Sequence, residues 1–442
     1  MDRCDVVVVG AGTAGCLCAR DLARMGHSVV VLEKKQLDEL GHDWWDTMDS
    51  DIFARVGIPF PEPPELVSQY NMKLIFPDGT EGPQTNMPYT HLNVERKPLA
   101  ARLIKYAKDA GAEFIECASV TEPLFDGSAV AGVRYELDGK EHELRACICV
   151  DASGISGIVR SKMPEIYGFE ARVKREDSVV TYRELRKDLY ENARSIFIIG
   201  VENGAQWVCR DNPGQVDFFA CAMDNPGRRD PKEMVEGLKE MEGGAGELAR
   251  GGVYNRIPVR RSFDSFVAPG LMLVGDCACM PNPMNGSGIS SGLLGAKLAA
   301  ETAHHALVRG DFSIASLWSY NAAYKRDQDV RFGKLHLLQR YGLLEDRENF
   351  YKLFKLGFVS NNSFWNMDKE FDFFKGLLKF PKLLPLLGMP AYLSRLARVF
   401  TLVKLVDAHY ARYPLEYDPG RFGAWRDRLA KLFDSIPAAP QA

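Results

Sequence analysis

A chain of 442 residues is longer than one small core organises, so two or three structural units are expected. The formal net charge of −4 leaves no overall nucleic-acid footprint, and no run reaches the roughly 18 apolar residues of a membrane-spanning helix. The ten cysteines include no CxxC pair and no zinc-like spacing, so no metal site is expected and most read as small buried apolar residues in a reducing compartment.

In chain order, Asp5 to Val9 is a short apolar run that suits a fully buried parallel strand. It leaves no room for a secretory leader, which makes the expected location cytoplasmic. Gly10-Ala11-Gly12-Thr13-Ala14-Gly15 follows, the GxGxxG spacing between a strand and a helix. Gly10 permits the tight turn, Gly12 lets a pyrophosphate approach, and Gly15 lets helix pack on strand. The helix start, beginning around Ala14, offers unpaired N–H groups to phosphates. A helix is expected from Cys16 to Arg24, then a strand from Ser28 to Leu32. Glu33, with Lys34 beside it, stands where an acid binds a ribose hydroxyl, and its charge disfavours a 2′-phosphate. On this fingerprint alone FAD and NAD both remain open.

At Val94-Glu-Arg96-Lys-Pro-Leu99 a strand-like stretch turns into a helix, and Pro98 suits its first turn. Arg96 lies near that helix start, within reach of an anionic cofactor or of solvent. Strands are expected at Phe114 to Cys117, Ala129 to Tyr135 and Glu141 to Val150, the last two joined at Asp138-Gly139. The third delivers Asp151-Ala-Ser-Gly154. Ser178 to Arg183, Ile196 to Val201, Gln206 to Cys209 and Val216 to Met223 also read as strands, and Pro231 to Glu242 as a helix. Leu271 to Val274 is another buried strand, ending in Gly275-Asp276. A loop with Pro281, Pro283 and Asn285 leads to Gly286-Ser287-Gly288-Ile289 and an apolar helix through Ala300. A carboxylate at a strand end can bond a polyol, and a glycine-flanked helix start can present N–H groups to a ring or a phosphate.

The last hundred residues read as helical and aromatic. From Phe373 to Val406 the only charges are basic: Lys375, Lys379, Lys382, Arg395, Arg398 and Lys404. Two readings stand open, a basic amphipathic segment at 373–406 on an anionic membrane surface and a helical cap packed on the body.

Gly10-x-Gly12-x-x-Gly15, Asp151-Ala-Ser-Gly154 and Gly275-Asp276 with its Pro–Gly–Gly loop resemble three marks of flavoproteins of the p-hydroxybenzoate hydroxylase fold. Within that group, Ile257-Pro-Val-Arg260-Arg261 and Leu271 to Asp276 resemble the geranylgeranyl reductase family, as does Arg96-Lys-Pro-Leu99. The resemblance runs over roughly residues 1–340. It implies an α/β fold: a discontinuous FAD-binding Rossmann-type domain (1–60, 92–160 and 265–310), an interleaved α+β substrate domain with a sheet over the flavin (61–91 and 161–264), and a C-terminal helical region (311–442). It implies that Glu33 binds the adenosine ribose, Arg96 lies along the FAD chain, Val120 lies by the adenine, Asp276 meets the ribitol, and Gly286, Gly288 and Ile289 face the isoalloxazine; Asp151 and Gly154 join the cofactor set.

After the second strand such a fold leads the chain past the flavin, here Gly41-His42-Asp43-Trp44-Trp45-Asp46. Trp44 and Trp45 are candidates for an apolar pocket wall, and His42 or Asp46 for a proton donor. The family's Cys-Gly-Gly stretch is absent, and of its Tyr-x-Trp-x-Phe-Pro element only Trp207 remains. The expected function is reduction of carbon–carbon double bonds in a lipophilic, isoprenoid-like substrate, with electrons from NAD(P)H or a redox protein. A flavin-dependent aromatic monooxygenase is the alternative. A second is an electron-transfer flavoprotein with a protein redox partner, in which Cys277 and Cys279 offer redox participation beside the flavin motif. A halogenase reading lacks its Trp-x-Trp-x-Ile-Pro element.

Overall fold

The computed structural model describes residues 3–67, 71–76, 79, 81–86, 90–190, 195–210, 214–355 and 386–438. Strands Arg3–Val9, Val29–Leu32, Glu113–Ile115, Lys140–Asp151 and Leu271–Leu273 form a parallel sheet, with the short Val267–Ala268 antiparallel at one edge. Their valines and leucines are almost wholly buried, as expected for strands covered on both faces. Val9 pairs with both Leu32 and Asp151, and Asp151 with Leu273. The strands therefore end level. Gly10, Glu33, Ala152 and Val274 leave the sheet along one line, although the sequence separates them widely. This carboxyl edge is where open α/β sheets hold ligands. Helices Thr13–Arg24 and Ile289–Arg309 pack against each other, and a hairpin of Ser119–Asp126 and Ala129–Leu137 extends Lys140–Asp151.

A second, seven-stranded sheet runs in the order Leu248–Pro258, Ser178–Lys187, Gln215–Met223, Ala205–Cys209, Ile196–Ile199, Asn71–Ile75, Glu81–Asn86. Side chains alternate between its faces. Tyr182, Val216, Phe218, Ala220, Ala222, Ile198 and Val208 form one core with Met234, Val235 and Leu238 of helix Pro231–Met241. The opposite face looks toward the first domain. A small sheet of Trp45–Asp49, His91–Glu95 and Leu66–Val67 stands between the two. The chain around Met163, Phe169 and Phe263 packs into the core of the parallel sheet.

The described C-terminal residues are helical. Helix Pro390–Tyr410 buries Tyr392, Leu396, Val399, Leu402, Val403 and Val406 against the body, and Arg395 makes a two-pronged pair with Glu345 at 2.7 and 2.8 Å. Of the two readings of its apolar face, the helical cap is the one observed, while Arg398 and Lys404 remain on the exposed side. Lys375, Lys379 and Lys382 lie outside the described residues. A cluster of Trp318, Tyr413, Phe422 and Trp425, one pair stacked and the others edge to face, joins helices Ile314–Tyr324 and Pro419–Asp434.

Candidate active site

The glycine turn is shaped by close approach. Gly10 has φ +99°, and a Cβ there would stand 2.7 Å from the Ala152 carbonyl oxygen. A Cβ on Gly15 would overlap the carbonyl oxygen of Gly10, whereas Gly12 faces open space. Glu33 is buried and braces the turn, accepting from Ala11 N at 2.8 Å and from Lys35 N at 3.0 Å. Neither helix Thr13–Arg24 nor helix Ile289–Arg309 has a side-chain N-cap, and both begin at a glycine. Their first N–H groups are thus left for a ligand. Both starts line one cavity of about 630 Å³. Two uncapped helix starts and an open Gly12 fit the phosphates of FAD.

Of the residues expected at the cofactor, Gly12, Ala14, Gly15, Arg96, Gly154, Asp276, Gly286, Gly288 and Ile289 line this cavity. Gly10 shapes the turn. Glu33, exposed Lys34 and Val120 lie outside the lining, toward the end of the second and third strands. Asp151 lies behind its turn, outside the lining. It is fully buried, and its carboxylate accepts from Ser153 N, Ser153 Oγ and Arg160 N at 3.1, 2.6 and 2.8 Å. Asp151 holds the turn that presents Ala152 and Gly154 and does not face the cavity. Cys277 and Cys279 are also fully buried, and burial pushes both thiols well up. They are packing residues, since a reactive thiol needs exposure and an easily formed thiolate.

His42, Trp44, Trp45, Asp46 and Trp207 all line the cavity. From Trp45 onward the stretch is strand Trp45–Asp49, pinned by Ser290 Oγ accepting from Asp49 N at 2.9 Å and Ser287 Oγ donating to Thr47 O at 3.2 Å. His42 stacks on Trp44 with ring centres 4.5 Å apart. Burial and the nearby Arg96 cation push its imidazole down to about 4, with Asp46 opposing. At neutral pH the ring is uncharged. Asp46 accepts from Arg96 at 2.6 Å through one oxygen and from Arg183 at 3.1 Å through the other. It is built as an acceptor between two guanidiniums. Asp276 sits at the start of the Ile289–Arg309 helix, where burial raises its carboxyl and Arg96 opposes the rise.

Arg183 is the main residue that sequence reading missed. Buried midway along strand Ser178–Lys187, it grips Asp217 at 3.0 and 2.6 Å and donates to Trp45 O at 2.9 Å. Its guanidinium lies 4.7, 5.5 and 5.4 Å from the ring centres of Trp45, Trp44 and Trp207. Trp207 donates its indole N–H to Asp217 at 3.0 Å. Asp217, the one charge in the apolar strand Gln215–Met223, was the available signal. Beyond Arg183 the cavity wall is mostly apolar, with Val179, Ile199, Ala205, Phe219, Cys221 and Met223 from the sheet. Phe332, Leu338 and Leu343 come from helix Val330–Leu344, and Gln339 ties that helix to Val259 O and Pro283 O at 2.9 Å.

Comparison with known proteins agrees with this geometry. The family model for FAD dependent oxidoreductases matches residues 5–47. The chain is 24% identical to the digeranylgeranylglycerophospholipid reductase of Sulfolobus acidocaldarius, over 96% of this chain and 95% of that one. It is 28% identical to digeranylgeranylglycerophospholipid reductase 2 of Methanococcoides burtonii, over 73% and 80%. Its fold is similar to that of a geranylgeranyl bacteriochlorophyll reductase-like protein from Thermoplasma acidophilum, with TM-score 0.71 and 18% identity over 90% of this chain and all of that one. A flavin-dependent brominase shares the fold at TM-score 0.61 and 18% identity, covering 97% of this chain and 98% of its own.

Proposed function

We propose that this FAD-dependent oxidoreductase reduces carbon–carbon double bonds in a lipophilic, isoprenoid-like substrate. The observation that carries the reading is continuity. One cavity begins at the dinucleotide turn, passes the Arg96–Asp46–Arg183 bridge, and continues as an apolar space under the second sheet. The names of the relatives in Sulfolobus acidocaldarius and Methanococcoides burtonii point to the same substrate class.

When bound and reduced by a two-electron donor, NAD(P)H or a redox protein, FAD supplies a hydride; with one proton from water, the double bond becomes a single bond and the flavin is left oxidised. The chain's own residues prepare the site. Gly12, Ala14, Gly15, Gly288 and Ile289 would hold the cofactor by backbone N–H groups, and Arg96 and Asp276 line the cavity between them. Asp46 orients Arg96 and Arg183 and leaves the proton to water. Neutral His42 and Trp44 wall the pocket. The sheet's apolar face excludes bulk water from the hydride path. The same reading includes peripheral contact with a membrane as the source of substrate.

The test is anaerobic. Fully reduced holoprotein is mixed with geranylgeranyl lipids and followed at the flavin absorbance. Reoxidation is expected within turnover time. If no prenyl lipid restores the oxidised spectrum, and an aromatic compound instead stimulates NAD(P)H-dependent oxygen uptake, the protein is a monooxygenase and the reading fails.

A further inference from the structure

The cavity-facing side of the second sheet is organised in rows that cross the strands. Cross-strand pairing places Phe197 opposite Trp207, Trp207 opposite Phe219, and Phe219 opposite Arg183. The next row on that face is Ile199, Ala205, Cys221, Thr181 and Asn255. A third is Met223, Val179 and Ile257. All three rows line the cavity. Trp207 and Phe219 stack at 3.8 Å, so the first row is a rigid ridge. The third row is backed by Leu343 and Val259. Between them the middle row is low, with Ala205, Cys221 and Thr181 at its centre. The result is a trough across five strands, about 19 Å long at ~4.8 Å per strand.

Its two ends differ. At the Asn255 end the neighbouring Ile257 lies 3.4 Å from where a Cβ on Gly286 would stand, and Arg183 in the adjacent row reaches Asp46. This is the cofactor end. At the Ile199 end stands Tyr351, from helix Arg347–Lys355. It is buried against Leu74, Phe76, Phe197 and Ile199. Its hydroxyl fills the space that a side chain at Gly200, where φ is +84°, would occupy. Gly200 therefore seats the tyrosine, and the tyrosine closes the trough.

Resting on the reading above, we propose that this trough holds the apolar chain of the substrate extended across the strands, and that Tyr351 is its stop, setting the chain length the protein accepts. A chain that fills the trough buries all its methylene groups. A longer one must bend or displace Tyr351. Residues Ala205 and Cys221 set the depth, because a larger side chain there levels the trough with its ridges.

Holoprotein carrying Tyr351→Ala, Tyr351→Phe or Ala205→Phe is compared with the parent protein for binding of all-trans prenyl alcohols from geraniol to geranylfarnesol. Binding is read from quenching of tryptophan fluorescence, and double-bond reduction is measured in parallel by mass spectrometry. In the parent, affinity rises with length and then falls. Tyr351→Ala moves the optimum to a longer chain, with about tenfold tighter binding of the longest alcohol, and Tyr351→Phe keeps the parent profile. Ala205→Phe weakens every long chain about tenfold while the flavin spectrum is unchanged. If the parent binds and reduces prenyl chains but Tyr351→Ala leaves the length profile where it was, the stop is elsewhere and this inference fails alone. If the parent binds no prenyl alcohol of any length, the functional reading fails with it.

Discussion

Asp46 is the point where single groups from both halves of the site meet. Its two oxygens serve Arg96, at the start of helix Arg96–Asp109, and Arg183, in the second sheet. Beside it, the depressed imidazole of His42 gives a measurable signature. In the unfolded chain that imidazole titrates at its ordinary 6.5, and in the folded chain burial and Arg96 lower it to about 4. Between these values the unfolded state takes up a proton that the native state refuses. Stability is therefore fully present above about pH 6.5 and is lost as pH falls toward about 4, by up to about 3 kcal/mol. Urea midpoints near neutral pH and near pH 4 should show this loss, and His42→Gln should shrink it. An equal loss in the variant assigns the effect to other groups. At this scale the sequence was legible where a residue's role is local. Gly10, Gly12 and Gly15 are demanded by their own turn. Asp151 was legible only in part, because an acid before a glycine turn looks the same whether it bonds a ligand or its own backbone. Arg183 and Asp217 were hidden because only strand register makes them neighbours.

At the scale of elements, the second sheet works by alternation: one face is an ordinary core under helix Pro231–Met241, the other a patterned wall. Four of its strands were readable from apolar alternation. Leu248–Pro258 was not, because Arg250, Gly251, Gly252, Asn255 and Arg256 break the apolar signal, and its pairing with Ser178–Lys187 is a tertiary event. The link from this sheet back to the first domain is held by a buried ion pair. Lys325 and Asp329, both fully buried, lie 2.7 Å apart in a π-helical turn. Lys325 also donates to Ser262 Oγ at 2.8 Å and to Phe263 O, and Asp329 accepts from Ser262 N at 3.2 Å. Removing one charge leaves the other buried and unpaired, so Lys325→Met should cost about 3–5 kcal/mol. Adding Asp329→Leu should recover much of that loss. Denaturant titration checks both, and a double variant no more stable than the single one would show that the hydrogen bonds to the 262–263 loop matter more than the charge.

At the scale of the whole molecule, segments near residues 10, 96, 152, 276 and 288 converge because level strand ends and two helix starts bring them to one edge. That convergence was foreseeable from the motif order. The far wall was not, since helix Val330–Leu344 and Tyr351 carry no local mark of their role. Among the described residues no helix is long and apolar enough to cross a membrane. Leu344, next to the cavity-lining Leu343, and Leu387 are large exposed apolar side chains, and Arg398 and Lys404 are exposed cations on the neighbouring helix. Peripheral binding predicts co-sedimentation with anionic vesicles that weakens in high salt; full recovery of the protein in the supernatant at low salt would count against it. The cofactor and an isoprenoid chain are proposed to share one cavity. The most direct measurement is a single anaerobic turnover of the reduced holoprotein with a geranylgeranyl lipid, with the product weighed by mass spectrometry. A cavity shared by cofactor and isoprenoid chain predicts a lipid that has gained one dihydrogen for each flavin reoxidised. A flavin that stays reduced, with the lipid recovered unchanged, would contradict it.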